Sequence, residues 1–246
     1  MQEEVIYGIN PVKEALRGQR RAFELFVAEG TSDQRVDKLL KLANEAGVPV
    51  RRRKRPDLQR LCGTDHHQGV ALRIEAFSYA DFDDVLSGSL ESDAESMFIV
   101  LDGIQDPHNL GAIIRTSACA GARCVIIPKD RAVGVSPTVE KVAAGATETV
   151  PVVQVTNIAT TLEQLKEAGF WIYGADEKSG ETLYRQKLTG NIVFVIGGEG
   201  EGIRPLVRKK CDVLFSIPLA GGVNSLNASV AGGIAMFEAV RQRTLK

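Results

Sequence analysis

The chain has 246 residues, of which 44% are hydrophobic and 25% charged, enough for a sizeable core in one large or two small domains. That composition excludes disordered, collagenous and fibrous chains, and the lack of any apolar run of ~18 residues argues against a membrane span. The net charge of −1, from 30 basic and 31 acidic residues, argues as a bare sum against an avid nucleic-acid binder.

The distribution of charge reads differently from the sum. Residues 1–73 carry 14 Lys/Arg against 10 Asp/Glu, residues 74–96 carry 7 acids and no Lys/Arg, and residues 97–246 carry 16 against 14. A basic head and an acidic strap are hidden in a neutral total. The start of the chain, Met1-Gln2-Glu3-Glu4, has no apolar stretch of the kind a secretory signal needs. The four cysteines, Cys62, Cys119, Cys124 and Cys211, form no CxxC pair, and His66 and His67 are adjacent. Free thiols in a reducing cytoplasm and no bound metal are therefore expected.

In chain order, the first predicted element is a short helix from Pro11 to Leu16, with Asn10 as N-cap and Pro11 at its first position. Phe23–Val27 reads as a strand. Apolar residues at Val36, Leu39, Leu40 and Ala43 predict a helix from Arg35 to Ala46, ended by Gly47. Val48–Val50 reads as at most a short edge strand. The basic run Arg51-Arg52-Arg53-Lys54-Arg55 follows, suited to a solvated loop or to phosphate contacts. Gln68–Ile74 predicts another strand, completing a small α/β domain over residues 1–74. Residues 75–96, acidic and Ser-rich, read as a flexible or surface-draped linker.

From residue 97 the pattern becomes regular. Strands are predicted at Met97–Leu101, Val125–Ile127, Val150–Val155, Phe170–Tyr173, Ile192–Ile196 and Val213–Ile217. Helices are predicted at Leu110–Ala120, Thr138–Ala144, Ile158–Ala168 and Leu226–Val240. Alternation of this kind implies a largely parallel sheet with helices on both faces, spanning a domain over residues 97–246.

Such sheets bind ligands at the carboxyl ends of their strands, which directs attention to three segments. The first, Asp102 to Gly111, enters a helix with Asn109 read as its N-cap and carries Arg115 into an apolar, small-residue helix; an Arg in that setting calls for an anionic partner. The second, Gly197-Gly198-Glu199-Gly200-Glu201-Gly202, places four glycines after a buried strand, which demands unusual backbone angles or a close approach. Its spacing is not GxGxxG, and its two acids would repel a pyrophosphate. The third, Ser216 to Ser229, ends a strand in Pro218, crosses Gly221-Gly222 and enters a helix at Asn224-Ser225-Leu226-Asn227, where Asn224 or Ser225 would cap. Ala228, Gly232 and Ala235 give that helix a small-residue face for close packing. Neither a nucleophile elbow nor a dinucleotide fingerprint is present.

Taken together, the three segments resemble the three motifs of the SpoU/TrmH branch of the SPOUT methyltransferases, RNA ribose 2′-O-methyltransferases, and the resemblance runs through residues 97–246. The front segment, with Tyr7-Gly8-Ile9-Asn10-Pro11-Val12 and His67-Gln68-Gly69-Val70, is similar to the small RNA-binding domain of the subfamily that methylates a guanosine of 23S rRNA in the peptidyl-transferase region. The resemblance implies a C-terminal deep trefoil knot, a homodimer with the active site completed across the interface, and S-adenosylmethionine (AdoMet) as methyl donor. It implies a cofactor pocket at Gly197, Gly198, Gly200, Ile217, Leu219 and Leu226. It implies catalytic positions at Asn109, Arg115, Glu199, Ser225 and Asn227; the charge of the basic front domain independently suggests RNA contacts at Arg51, Arg52, Arg53, Lys54 and Arg55. The implied partner is 23S rRNA before or during large-subunit assembly, with no membrane. A tRNA substrate, or a non-catalytic RNA-binding protein on the same fold, are the alternatives. Arg115 fits two roles, a deprotonated activator of the ribose hydroxyl or a fixed cation.

Overall fold

The computed structural model describes residues 3–18, 20–31, 33–92, 94–222 and 225–244. Its elements run β1 (Glu3–Tyr7), α1 (Ile9–Arg17), β2 (Ala22–Ala28), α2 (Gln34–Glu45), β3 (Val50–Arg53), α3 (Arg55–Cys62), β4 (Val70–Glu75) and α4 (Phe82–Leu90). They continue with β5 (Met97–Asp102), α5 (Pro107–Cys119), β6 (Cys124–Pro128), α6 (Pro137–Ala143), β7 (Val152–Val155), α7 (Ile158–Glu167), β8 (Trp171–Ala175), β9 (Ile192–Gly197), α8 (Pro205–Arg208), β10 (Val213–Phe215) and α9 (Ala228–Thr244). The chain divides into two units: Met1–Ser78 with Val135–Thr149, and Tyr79–Gly134 with Val150–Lys246.

The first unit is a four-stranded sheet of order β1-β4-β2-β3, antiparallel except for the β2–β3 pair. Strict alternation in β2 splits its side chains. Leu25 and Val27 join the core with Val12, Val36 and Leu39 of α1 and α2, while Phe26 and Ala28 pack with Leu58 of α3 on the opposite face. Asn10 is not the cap of α1. The helix starts two residues earlier, after Gly8 at φ 96°, and the Ile9 N–H donates to Oε1 of Gln68 at 2.9 Å. Gln68 itself adopts φ 55°, and His67 Nδ1 accepts from the Gly69 N–H at 3.0 Å. Burial, aided by the Arg55 cation, holds His67 below the usual imidazole range, which suits that acceptor role. The His-Gln-Gly turn is thus the side-chain cap that α1 lacks in its own sequence.

The edge strand is Val50–Arg53 rather than 48–50, and α3 follows where the basic run ends. An edge strand solvated on both faces needs only backbone pairing, so arginine is tolerated there. The run therefore does not act as one loop. Arg51 forms an ion pair with Glu24, which Arg73 also contacts at 3.1 Å.

Residues read as the front of a linker also build a helix. Asp81 caps α4, accepting the N–H groups of Asp83 and Asp84 at 2.9 and 3.2 Å, and the acids of the first turn sit at the positive end of the helix dipole. Ala80, Phe82, Val85 and Leu86 pack against the core of the second unit.

Segment Val135–Thr149, read as part of the 97–246 domain, clusters with the first unit. Its α6 and the 3-10 turn Ala146–Glu148 supply Glu140 and Glu148 to the Arg20 guanidinium, which also pairs with Glu4 at 2.5 Å. Three carboxylates thus face one cation. Burial pushes Glu140 up to about 7, opposed by the pull of Arg20 and reinforced by Glu4 and Glu148, and its Oε2 has no hydrogen-bond partner among the described residues.

The second unit holds a six-stranded, wholly parallel sheet of order β10-β8-β9-β5-β6-β7. The central strands are apolar throughout because both faces are covered. Phe98, Val100, Val193 and Val195 face α7 and α8, while α5 and α9 lie on the other face, where Gly232 meets Ile196 and Gly233 meets Thr116. Ala228, Gly232 and Ala235 are all buried, as their small size led one to expect. From β5 the chain proceeds outward through β6 and β7, then crosses to build β8, β9 and β10 on the far side. The carboxyl ends of β5 and β9 therefore flank the switch point where such sheets open a crevice. Burial pushes the thiols of Cys62 and Cys211 up to about 11 and about 12, which makes them poor nucleophiles.

Glu140 gives a pH signature. Its raised value means that it stabilises the fold fully below its unfolded value near 4.5 and that this contribution is lost as pH rises through about 7. Thermal unfolding of the whole chain should show Glu140→Gln matching the wild type at pH 4 and exceeding it at pH 8. Equal melting temperatures at pH 8 would contradict this.

Candidate active site

Asp102 ends β5 with its side chain fully buried. Its carboxylate accepts the Arg204 N–H at 2.8 Å, Arg204 Nε at 2.7 Å and Nη2 at 2.6 Å, and its backbone C=O accepts the Gly198 N–H at 2.9 Å. Two guanidinium donors converge on Oδ1 and a backbone N–H meets Oδ2, which together satisfy this buried charge. The loops after β5 and β9 are thereby held together at the crevice.

The glycines after β9 divide by function. A Cβ on Gly198 would lie 2.4 Å from the Gly103 oxygen, and one on Gly197 2.1 Å from the Gly202 carbonyl carbon. These two allow close backbone approach. Gly200 and Gly202 instead adopt φ 89° and 67° and turn the loop back on itself, closing a bridge between Gly198 and Gly202.

That loop presents Glu199 to residues from two other segments. Asn109 Nδ2 donates to Glu199 Oε1, and Asn227 Nδ2 donates to Asn109 Oδ1 at 2.9 Å and to Glu199 Oε1 at 3.3 Å. Asn109 is not a cap. Asp106 caps α5 through the His108 N–H at 2.8 Å with Pro107 in the first turn, which leaves Asn109 buried inside the helix and free to reach across. Asn227 caps α9, its Oδ1 accepting from the Ser229 N–H at 2.9 Å and Ser229 Oγ at 2.6 Å. Of the two expected caps, Ser225 is not the one used, and Asn224 lies outside the described residues.

A cavity of about 510 Å³ opens beside this network. Gly197, Gly198, Glu199 and Gly200 line one side, and Ile217, Leu219, Ser225, Leu226 and Asn227 the other. The structure thus unites every expected cofactor residue with three of the expected catalytic ones. Asn109 joins through hydrogen bonds. Arg115 lies two turns further along α5, exposed and without a carboxylate partner among the described residues, so the structural ion pair that could have explained it does not form. The 51–55 run belongs to the other unit.

Sequence reasoning missed several residues here. Asp102 and Arg204 were signalled only by an acid at a strand end and an arginine after the glycines. The same cavity is lined by Asp176, Glu177 and Lys178 after β8 and by Arg208, which pairs with Asp176 at 2.5 Å; no spacing pattern marks them.

Sheet order, glycine loop and amide–carboxylate network define a class. The chain belongs to the SpoU rRNA methylase family, whose model matches residues 96–237, and a second model, for RNA 2′-O ribose methyltransferase substrate binding, matches residues 5–80. It is 45% identical over 98% of its length to the 23S rRNA (guanosine-2′-O-)-methyltransferase RlmB of Ralstonia nicotianae, 96% of which is covered. It is 41% identical over 98% of its length to the putative TrmH family tRNA/rRNA methyltransferase YacO of Bacillus subtilis, 97% of which is covered. Among solved structures, the SpoU methyltransferase AviRb of Streptomyces viridochromogenes in complex with the cofactor AdoMet matches with a TM-score of 0.82 at 25% identity, over 99% of this chain and 92% of that one.

Gly198→Ala should separate the two loops by forcing a Cβ against Gly103, costing about 1–3 kcal/mol in urea unfolding. Gly221→Ala, with nothing within 4 Å of its Cβ, should stay within about 0.5 kcal/mol of the wild type. Equal stability of the two variants would contradict the close approach.

Proposed function

We propose that this protein is an AdoMet-dependent RNA ribose 2′-O-methyltransferase acting on a guanosine of 23S rRNA. The observation that carries the reading is the hydrogen-bonded set Asn109–Glu199–Asn227, drawn from three separate segments to the wall of one cavity. The names of the full-length relatives support the substrate.

The cavity fits the cofactor. Its volume lies in the range of small-molecule sites, roughly 300–1,000 Å³. One wall is backbone at Gly197 and Gly198, where a Cβ has no room. Ile217, Leu219 and Leu226 offer apolar surface, Asp176, Glu177 and Glu199 offer acids to a sulfonium and an ammonium, and Lys178 and Arg208 offer cations to a carboxylate. When bound, AdoMet supplies an electrophilic methyl group.

The chain's own residues then handle the ribose hydroxyl. Glu199 has one oxygen fixed by two amide donors, which leaves Oε2 oriented to accept a hydrogen bond from that hydroxyl. Asn109 and Asn227 hold the carboxylate in place, and Ser225 lines the same wall as a further hydrogen-bonding group. Arg115 acts as a cation that stabilises the developing alkoxide or an adjacent phosphate, since a guanidinium is a poor base.

The remaining parts of the reading concern assembly. Val230 and Phe237, seven residues apart on α9, are each 48% exposed, which supports a homodimer formed through that helix. Family resemblance supports a trefoil knot running from the glycine loop through α9. Arg52, Arg53, Lys54 and Arg55 make the RNA contacts of the first unit, with Arg51 contributing less because Glu24 holds it. The enzyme works in the cytoplasm on rRNA before or during large-subunit assembly; no helix among the described residues is long and apolar enough to cross a membrane.

Labelled AdoMet incubated with unmodified 23S rRNA and with tRNA tests the function. Transfer to a guanosine 2′-oxygen of 23S rRNA is expected. Transfer to tRNA alone would move the substrate, and none to either would leave a non-catalytic binder. Arg115→Ala should abolish transfer with AdoMet binding intact; retained turnover would remove it from the site. Neutralising Arg52–Arg55 should weaken rRNA binding and flatten its salt dependence.

A further inference from the structure

The loop after β6 carries Lys129, Asp130 and Arg131, all exposed, and none forms an ion pair among the described residues. Its backbone is nevertheless well held. The Lys129 N–H donates to the Val155 C=O at 2.8 Å, and the Val133 N–H to the Ile104 C=O at 2.9 Å. Between these ties Arg131 adopts φ 58°, a conformation that L side chains rarely take. Gln105 Nε2 donates to the Arg131 C=O at 3.4 Å.

Glycine would meet that backbone geometry without strain, yet the position holds an arginine whose side chain is exposed and forms no ion pair among the described residues. Strain of this kind concentrates at functional sites. The ties also fix where the cations sit. Ile104 and Gln105 belong to the turn between β5 and α5, and four residues beyond Gln105, inside the first turn of α5, Asn109 reaches Glu199. Lys129 and Arg131 are thus mounted on the support that positions the catalytic network, at the same carboxyl edge of the sheet.

We infer that Lys129 and Arg131 form a phosphate-binding rim that grips the RNA backbone beside the target ribose. The inference rests on RNA being the substrate, as proposed above. A ribose delivered to this crevice brings its flanking phosphodiesters with it, and Arg matches a phosphate bidentately while Lys serves as a point charge. Gln105 and His108, exposed nearby, add further hydrogen-bonding groups. Asp130 faces solvent and pairs with neither cation, so it leaves both charges available.

The test compares the wild type with Lys129→Ala/Arg131→Gly and with Arg131→Gly alone, using 23S rRNA transcript and AdoMet. The glycine removes the guanidinium while accepting the φ of 58°, so folding is retained or improved. For the double variant the expected loss falls on KM for RNA, about tenfold, rather than on kcat. The slope of log affinity against log salt becomes shallower by roughly 1.4–1.8, the amount for two lost phosphate contacts. AdoMet Kd, read by calorimetry without RNA, stays at the wild-type value. An unchanged RNA KM and salt slope would overturn the inference while leaving the methyltransferase reading intact. So would a fall in kcat alone or a weakened AdoMet Kd, either of which would make the loop a support for the cofactor site. A wild-type protein that neither binds nor methylates the transcript would overturn both.

Discussion

The fully buried carboxylate of Asp102 joins the two loops that make the crevice. A charge in that position is tolerable only because Arg204 meets it with two side-chain donors and its own N–H, and losing either partner would strand the other. The consequence is geometric. With the Gly198 N–H held by the Asp102 carbonyl, the glycine loop has one path available, and that path brings Glu199 to Asn109. The amide network, the cavity wall and the start of α9 at Asn227 all follow from this join.

The same logic explains which residues stand outside it. Arg115 is exposed and has no carboxylate partner among the described residues, while its helix is fixed at its start by Asp106 and Pro107. In the first unit the balance is reversed. There Arg20 is surrounded by Glu4, Glu140 and Glu148, and a cation so committed has nothing left for RNA. Arg52, Arg53, Lys54 and Arg55, along its edge strand and the start of α3, are exposed and form no ion pair among the described residues. Burial and pairing thus separate the arginines committed to the fold from those left exposed, which their number does not.

Much of the second unit is legible in its residues. β5, β6 and β9 announce themselves as unbroken apolar runs because both of their faces are covered, and the three polar segments that follow β5, β9 and β10 are where the candidate site lies. What escapes is what depends on partners distant in the chain. Asn109 resembles a cap, and only Pro107 two residues earlier signals that Asp106 holds that position. The α4 helix hides in an acidic, Ser-rich stretch because its acids serve the helix dipole. The edge strand hides in a run of arginines because pairing with β2 requires only backbone. Segment Val135–Thr149 reads as a helix in the right place, yet its affiliation rests on Arg20, more than a hundred residues away. The roles of Asp102 and Arg204 rest on a contact across 102 residues.

The dependence of the cofactor site on that contact is open to direct measurement. AdoMet is titrated calorimetrically into the wild type and into Asp102→Asn, an isosteric change that removes the charge holding Arg204. The wild type should bind AdoMet, and the variant should bind at least about tenfold more weakly, a loss of about 1.4 kcal/mol. An unchanged Kd in the variant would mean that the crevice does not depend on this carboxylate, and the account built on it would be wrong.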